Sequence, residues 1–167
     1  GDQVQIVADA SPTGLGAFLK VNGVIEEFTF DTITEHDQAT LKTKAGGSEG
    51  QQVWEALILL AALRLWRHHW SDKRVTLMVR SDSVSALILV MKCKTTGYGT
   101  SLISREVALD IGGALYEPNV CEHITGIANL IADHLSRREV SSSSPLPPQL
   151  CQARQVYLED RADGWWR

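Results

Sequence analysis

No apolar run in this 167-residue chain approaches the roughly 18 residues that a membrane-spanning helix requires. The opening Gly1-Asp2-Gln3 has no basic stretch followed by an apolar one, so no secretory leader is indicated. A start without methionine leads us to expect a fragment or a processed product. Cysteine is scarce: Cys93, Cys121 and Cys151 are odd in number, widely spaced and form no CxxC pair, so neither a disulfide framework nor a zinc site is indicated. Positive charge is in deficit too, with 16 Lys and Arg against 20 Asp and Glu and a net charge of −4. Proteins that hold nucleic acid by charge alone are usually basic. Whatever this chain binds, bulk electrostatics does not deliver it.

What remains is the composition of an ordinary globular domain, 44% hydrophobic and 22% charged, on a chain long enough for one sizeable core. Residues 3–9 read as a buried strand closed by Ser11-Pro12-Thr13-Gly14. Residues 15–21 and 24–30 alternate around Asn22-Gly23, a two-residue hairpin signal. The polar segment 31–47 reads as a loop. A helix is expected from about Ser48, as N-cap, to His68; from Val53 to Trp66 its only charges are Glu55 and Arg64, so it must be buried on nearly all sides, with Trp54 and Trp66 in the core. A strand over 74–81, a short helix over 83–93, a helix over 101–115, a strand over 119–125 and a helix over 127–139 follow. The expected order is βββαβααβα. That makes an α/β fold with a mixed five-stranded sheet, three strands antiparallel and then two parallel, flanked by helices. We divide the chain into a domain over 1–140, a Ser/Pro-rich linker over 141–149 and a C-terminal tail over 150–167, which either docks on the domain or, the reading we favour, belongs to whatever follows in a longer chain.

Four acids stand in settings that suit an acid poorly. Asp9 ends the first apolar run, Glu55 lies in the apolar helix, Asp82 ends the run Val75 to Val79, and Asp133 sits in the last helix. A carboxylate against apolar surroundings is costly unless it is paired, hydrogen-bonded or on a metal. Each also has an ordinary use: Asp9 before a Ser-Pro turn, Asp82 as a helix N-cap, Asp133 as a surface acid and Glu55 in an ion pair. Parallel pairing of the first strand with 74–81 would bring Asp9 and Asp82 out at one sheet edge, where open α/β sheets bind ligands. Four acids drawn together need cations between them, so a divalent-metal site is expected.

The text around these acids resembles ribonuclease H, and more closely the ribonuclease H domain of reverse transcriptases from gypsy-type LTR retrotransposons and related retroelements. The matching pieces are Ala8-Asp9-Ala10-Ser11 with Gly14-Leu15-Gly16-Ala17, then Trp54-Glu55-Ala56-Leu57, Ser81-Asp82-Ser83 and, most specific, the run from His123 to Arg137 containing GxxNxxADxLSR. They occur in order and cover about residues 3–139. The resemblance implies a ribonuclease H-like fold and hydrolysis of the RNA strand of RNA:DNA hybrids with two Mg²⁺ ions, for which Mn²⁺ can substitute. It implies Asp9, Glu55, Asp82 and Asp133 as metal ligands and His123 as a histidine near the scissile phosphate. Ser11, Gln51, Gln52, Ser83 and Asn129 are the implied substrate contacts. A polymerase domain in the same polyprotein is the implied partner, and the cytoplasm (in retroelement particles) or the nucleus the implied location. The chain departs from the family in a longer segment before the first helix and in a thin basic handle, Lys92-Cys93-Lys94. The alternatives are a catalytically weak connector of the same fold, and another nuclease of the superfold. Against the second, Asp9-Ala10-Ser11 lacks the Asp-x-Glu of proofreading exonucleases, and the late acid is an aspartate where integrases carry glutamate.

Overall fold

The computed structural model describes residues 2–69, 75–80, 97–112, 119–121, 126–162 and 164–166, and for 75–80, 111–112 and 119–121 the backbone alone. Strands β1 (Asp2–Ala10), β2 (Gly14–Val21) and β3 (Val24–Thr32) form an antiparallel meander, and β4 (Val75–Arg80) lies parallel to β1 on its other side. The expected mixed sheet, antiparallel and then parallel, is therefore present. A three-residue strand β5 (Asn119–Cys121) pairs parallel with β4, and a two-residue strand β6 (Arg154–Gln155) with β3, giving the order β5-β4-β1-β2-β3-β6. The β2–β3 hairpin turns at Asn22 (φ 51°) and Gly23 (φ 83°), the left-handed pair that a two-residue loop needs to match strand twist.

The helices are α1 (Glu35–Leu41), α2 (Gln51–Leu65), α3 (Tyr98–Gly112) and α4 (Gly126–Arg137). β1 is flanked on both sides and buried from Ile6 to Ala10 apart from no more than a few per cent exposure, which accounts for its nearly unbroken apolar text. Its alternate residues serve two cores. Ile6, Ala8 and Ala10 pack with α2, whose residues Trp54 to Leu63 are all buried; Val7 packs with Phe18, Phe28, Phe30 and the apolar stripe of α4. Trp54 and Trp66 are fully buried, as their sequence context predicts. Among the described residues no helix is long and apolar enough to cross a membrane.

Three expectations change. Segment 31–47 is not all loop, because α1 is set off by a capping box: the Asp37 amide donates to Thr34 Oγ1 (3.0 Å) and the Thr34 amide to Asp37 Oδ2 (2.9 Å). Ser48 does not cap α2; residues Ser48–Gly50 form a 3-10 turn and Gly50 is the N-cap, in a space where a Cβ would meet Thr43 Cγ2 at 2.6 Å. The tail is docked on the domain. The Val156 amide donates to the Phe28 carbonyl (2.9 Å), Leu150 and Trp165 are buried, and Arg64 Nη1 donates to the Trp165 carbonyl while its guanidinium lies 4.5 Å from that ring's centroid. Arg64 is also bonded to Asp110 on α3 at 2.7 Å. The expected helix over 83–93 lies outside the described residues.

Candidate active site

Asp9 is the penultimate residue of β1, paired opposite Gly16 of β2, and is 4% exposed. By strand alternation it shares Val7's face, the one that α4 covers. The hydroxyl of Ser136 on α4 donates to Asp9 Oδ2 at 3.0 Å and lies 2.9 Å from the carbonyl of Asp133. One side chain thus ties Asp9 to the turn of helix that carries Asp133.

That tie demands a very close approach of helix to sheet. A Cβ on Gly16 would meet the Ser136 amide nitrogen at 2.4 Å, and one on Gly14 the Ser136 carbonyl oxygen at 2.1 Å. Both obstacles are backbone, which cannot swing aside. Gly16→Ala is therefore expected to lift α4 from β2 at a cost of about 1–3 kcal/mol, read as a lower urea midpoint. An unchanged midpoint would mean that α4 does not sit this close.

Glu55 comes from the other face of the sheet, on α2, and is 3% exposed. Gln51, one turn earlier, donates from Nε2 to the carbonyl of Ala10 (2.5 Å) and to Glu55 Oε1 (2.9 Å). This amide pins Glu55 level with the last residue of β1. Two buried carboxylates, one from the strand end and one from the helix above it, are held by named neighbours at the carboxyl edge of a central strand.

Asp133 is different. Its side chain is 46% exposed and Oδ1 accepts from Arg137 Nε at 2.9 Å, an i,i+4 pair. The Arg137 guanidinium is held above its usual value by the hydrogen bond and then the charge of Asp133, with a smaller contribution from the charge of Asp9.

Ser11 is buried and used inside the fold. Its hydroxyl donates to the Ser136 carbonyl (2.8 Å) and accepts from the Gly14 amide (2.9 Å), and its own amide donates to the Gly14 carbonyl (2.9 Å). It clasps the β1–β2 turn to α4. Of the other expected contacts, Gln51 is occupied as above, Gln52 is exposed and Asn129 is half-buried. Asp82, Ser83 and His123 lie outside the described residues.

Only carboxylate oxygens are offered by Asp9, Glu55 and Asp133, the donor chemistry a hard divalent cation selects. Among the described residues no three Asp, Glu, His or Cys groups stand together as a metal site. Asp133 is engaged with Arg137. Asp9 and Glu55 carry the oxygen donors taken by Mg²⁺, which is commonly held by one or two carboxylates with water and substrate oxygens completing the shell, and they reach the carboxyl end of β1 from its two faces. Sequence reasoning overlooked Ser136 and Arg137. The i,i+4 spacing of Asp133 and Arg137 was a usable signal; nothing local marks Ser136 as a partner of Asp9. No protein-family model and no curated protein matches the chain.

Proposed function

We propose that this domain is a divalent-metal-dependent nuclease of ribonuclease H type, hydrolysing the RNA strand of RNA:DNA hybrids beside a polymerase domain of the same polyprotein. The observation that carries the reading is the β1–β4 register. The strands pair in parallel as far as Val7 opposite Arg80, and in sequence Asp9 and Asp82 each stand two residues further on. Asp9 is at that edge, with Glu55 pinned above it by Gln51 and the Asp133 turn tied to it by Ser136. The sequence GxxNxxADxLSR gives the reading its substrate class.

Asp9, Glu55, Asp82 and Asp133 would hold the ions, which when bound supply an activated water and stabilise the leaving oxygen of an in-line displacement. The chain's own part is positional. Ser136 fixes the rotamer of Asp9, Gln51 fixes that of Glu55, and Arg137 must give up Asp133 for it to join the other acids. Among the described residues, exposed Gln52 and half-buried Asn129 are the groups left for reading the 2′-hydroxyl that separates RNA from DNA. Cleavage of this type leaves a 3′-hydroxyl and a 5′-phosphate.

The test is a substrate panel of RNA:DNA hybrid, duplex DNA, duplex RNA and single strands with Mg²⁺ or Mn²⁺. Cutting confined to the RNA of the hybrid is expected, with binding that is weak because net charge is −4 and that weakens further with salt as phosphate contacts are screened. Cutting of duplex DNA instead would reassign the domain to another nuclease of the superfold. The engagement of Asp133 by Arg137 favours one second reading, a connector with little activity. No cutting together with no calorimetric Mg²⁺ binding would establish it.

A further inference from the structure

Beyond Asp133, the end of α4 and the serine-rich turn after it enclose an open cleft of about 680 Å³. Its walls include Asp133, His134, Arg137, Arg138, Glu139 and residues 141–144. The turn is not a loose linker where it borders the cleft. Arg138 Nη2 donates to the carbonyls of Ser144 (2.7 Å) and Ser142 (3.4 Å), and the guanidinium lies 5.5 Å from the Phe30 ring centroid. The Ser144 amide closes the turn onto Ser142 Oγ at 3.2 Å. Arg138 is thereby a peg that holds a row of serines in place, with Ser141, Ser143 and Ser144 exposed.

Arg137 is the opposite case. It is 62% exposed, and only its Nε edge is engaged, by Asp133. The two terminal nitrogens make no hydrogen bond among the described residues. A planar guanidinium with one edge held and the other open is oriented for a second acceptor, and the geometry of that fork matches phosphate. Formal charge does not favour an anion here, because Arg137 and Arg138 are balanced by Asp133 and Glu139. A directed donor does: the open edge of Arg137 stands in a cleft whose other wall is a row of serines.

We propose that this cleft is a phosphodiester-binding subsite, with Arg137 as its anchoring donor and the 141–144 turn as its far wall. It seats a backbone phosphate of the strand that runs past Asp133. The subsite borders Asp133, one of the acids proposed to do chemistry, and extends away from it along the 141–144 turn, and it offers the chain a local hold on an anion that its net charge does not provide. The inference rests on the nuclease reading for the identity of the strand, not for the phosphate chemistry.

The experiment measures binding without cleavage. A fluorescently labelled RNA:DNA hybrid is titrated with the intact chain in EDTA at low salt, by anisotropy, across a series of NaCl concentrations. Asp133→Asn is compared with Asp133→Asn/Arg137→Gln, so that the lost donor is not confused with a newly unpaired carboxylate. The double variant is expected to bind about tenfold more weakly than Asp133→Asn, with a salt slope smaller by about 0.9, the signature of one phosphate contact. Arg137→Lys in the Asp133→Asn background should recover the slope but only part of the affinity. Equal affinity and slope in both proteins would overturn the subsite, even in a chain that cuts hybrids. Arginine-dependent binding in a chain that cuts nothing would keep the subsite and sink the nuclease reading. In a parallel arm, inorganic phosphate is added in competition. Arginine-dependent phosphate binding with no dependence of hybrid binding on Arg137 would identify a free-anion site and overturn the strand assignment.

Discussion

Asp9→Asn is expected to lower hybrid hydrolysis by about three orders of magnitude or more, a loss of roughly 4 kcal/mol of transition-state stabilisation. The substitution changes charge and almost nothing else. Asn keeps the size of Asp and an oxygen that still accepts from the Ser136 hydroxyl, so the contact holding α4 against β1 is retained. What disappears is an anionic oxygen at the carboxyl edge of the central strand. Initial cleavage rates with Mg²⁺ in excess, set beside thermal melts, separate the two roles of the residue. Near-wild-type melting with cleavage lost assigns Asp9 to chemistry. A variant that cuts at a rate comparable to wild type would remove the basis of the proposal, and one that unfolds would show Asp9 to be a structural acid.

Asp9 was legible because its setting is local: an acid at the end of an apolar strand, followed by a turn, can be seen in a dozen letters. Glu55 was legible for the same reason, as a charge among residues that all turn out to be buried. The hairpin at Asn22-Gly23 follows from the left-handed backbone its turn needs. What the letters hid were pairings across long stretches of chain. Ser136 meets Asp9 from 127 residues away, and the glycines opposite it are small because a helix backbone crosses them, a fact their own segment does not state. Helix α1 is a different kind of miss. Thr34 and Asp37 stand at capping-box spacing with Ile33 and Leu41 buried on either side, but a run so polar otherwise hides a two-turn helix. The docking of the tail was the less favoured of two readings because its anchors, Arg161 and Trp165, flank Ala162-Asp163-Gly164 and form no periodic apolar pattern.

The largest effect on stability is expected at Arg161, in that tail. Its side chain is 4% exposed, and it forks onto Asp37 (Nε to Oδ1 2.9 Å, Nη2 to Oδ2 2.8 Å), which is fully buried. Nη1 donates to Asp31 Oδ2 at 3.0 Å and Nη2 to the Thr32 carbonyl at 3.3 Å. Burial lowers the affinity of the guanidinium for its proton. The hydrogen bonds and charges of Asp37 and then Asp31 outweigh that, and the net shift is upward. A raised value means that the arginine's contribution is fully present below the usual arginine range, hence across all neutral and acidic conditions. Arg161→Met leaves the Asp37 charge with no counterion at zero exposure, which costs about 3–5 kcal/mol. For a domain of this size that is a fall of roughly 6–20 °C in melting temperature. Adding Asp37→Asn should restore a large part of the loss, because Asn still accepts from the Thr34 amide and keeps the cap of α1 while removing the stranded charge. Urea melts of the two variants decide between a docked tail and an appended one. If Arg161→Met melts like the wild type, the tail does not hold the domain; if it falls and Asp37→Asn rescues it, residues 150–167 are part of the fold. The first 140 residues expressed alone would then leave Asp37 as a buried acid without its cation, which is the physical reason the domain boundary belongs after the tail rather than before it.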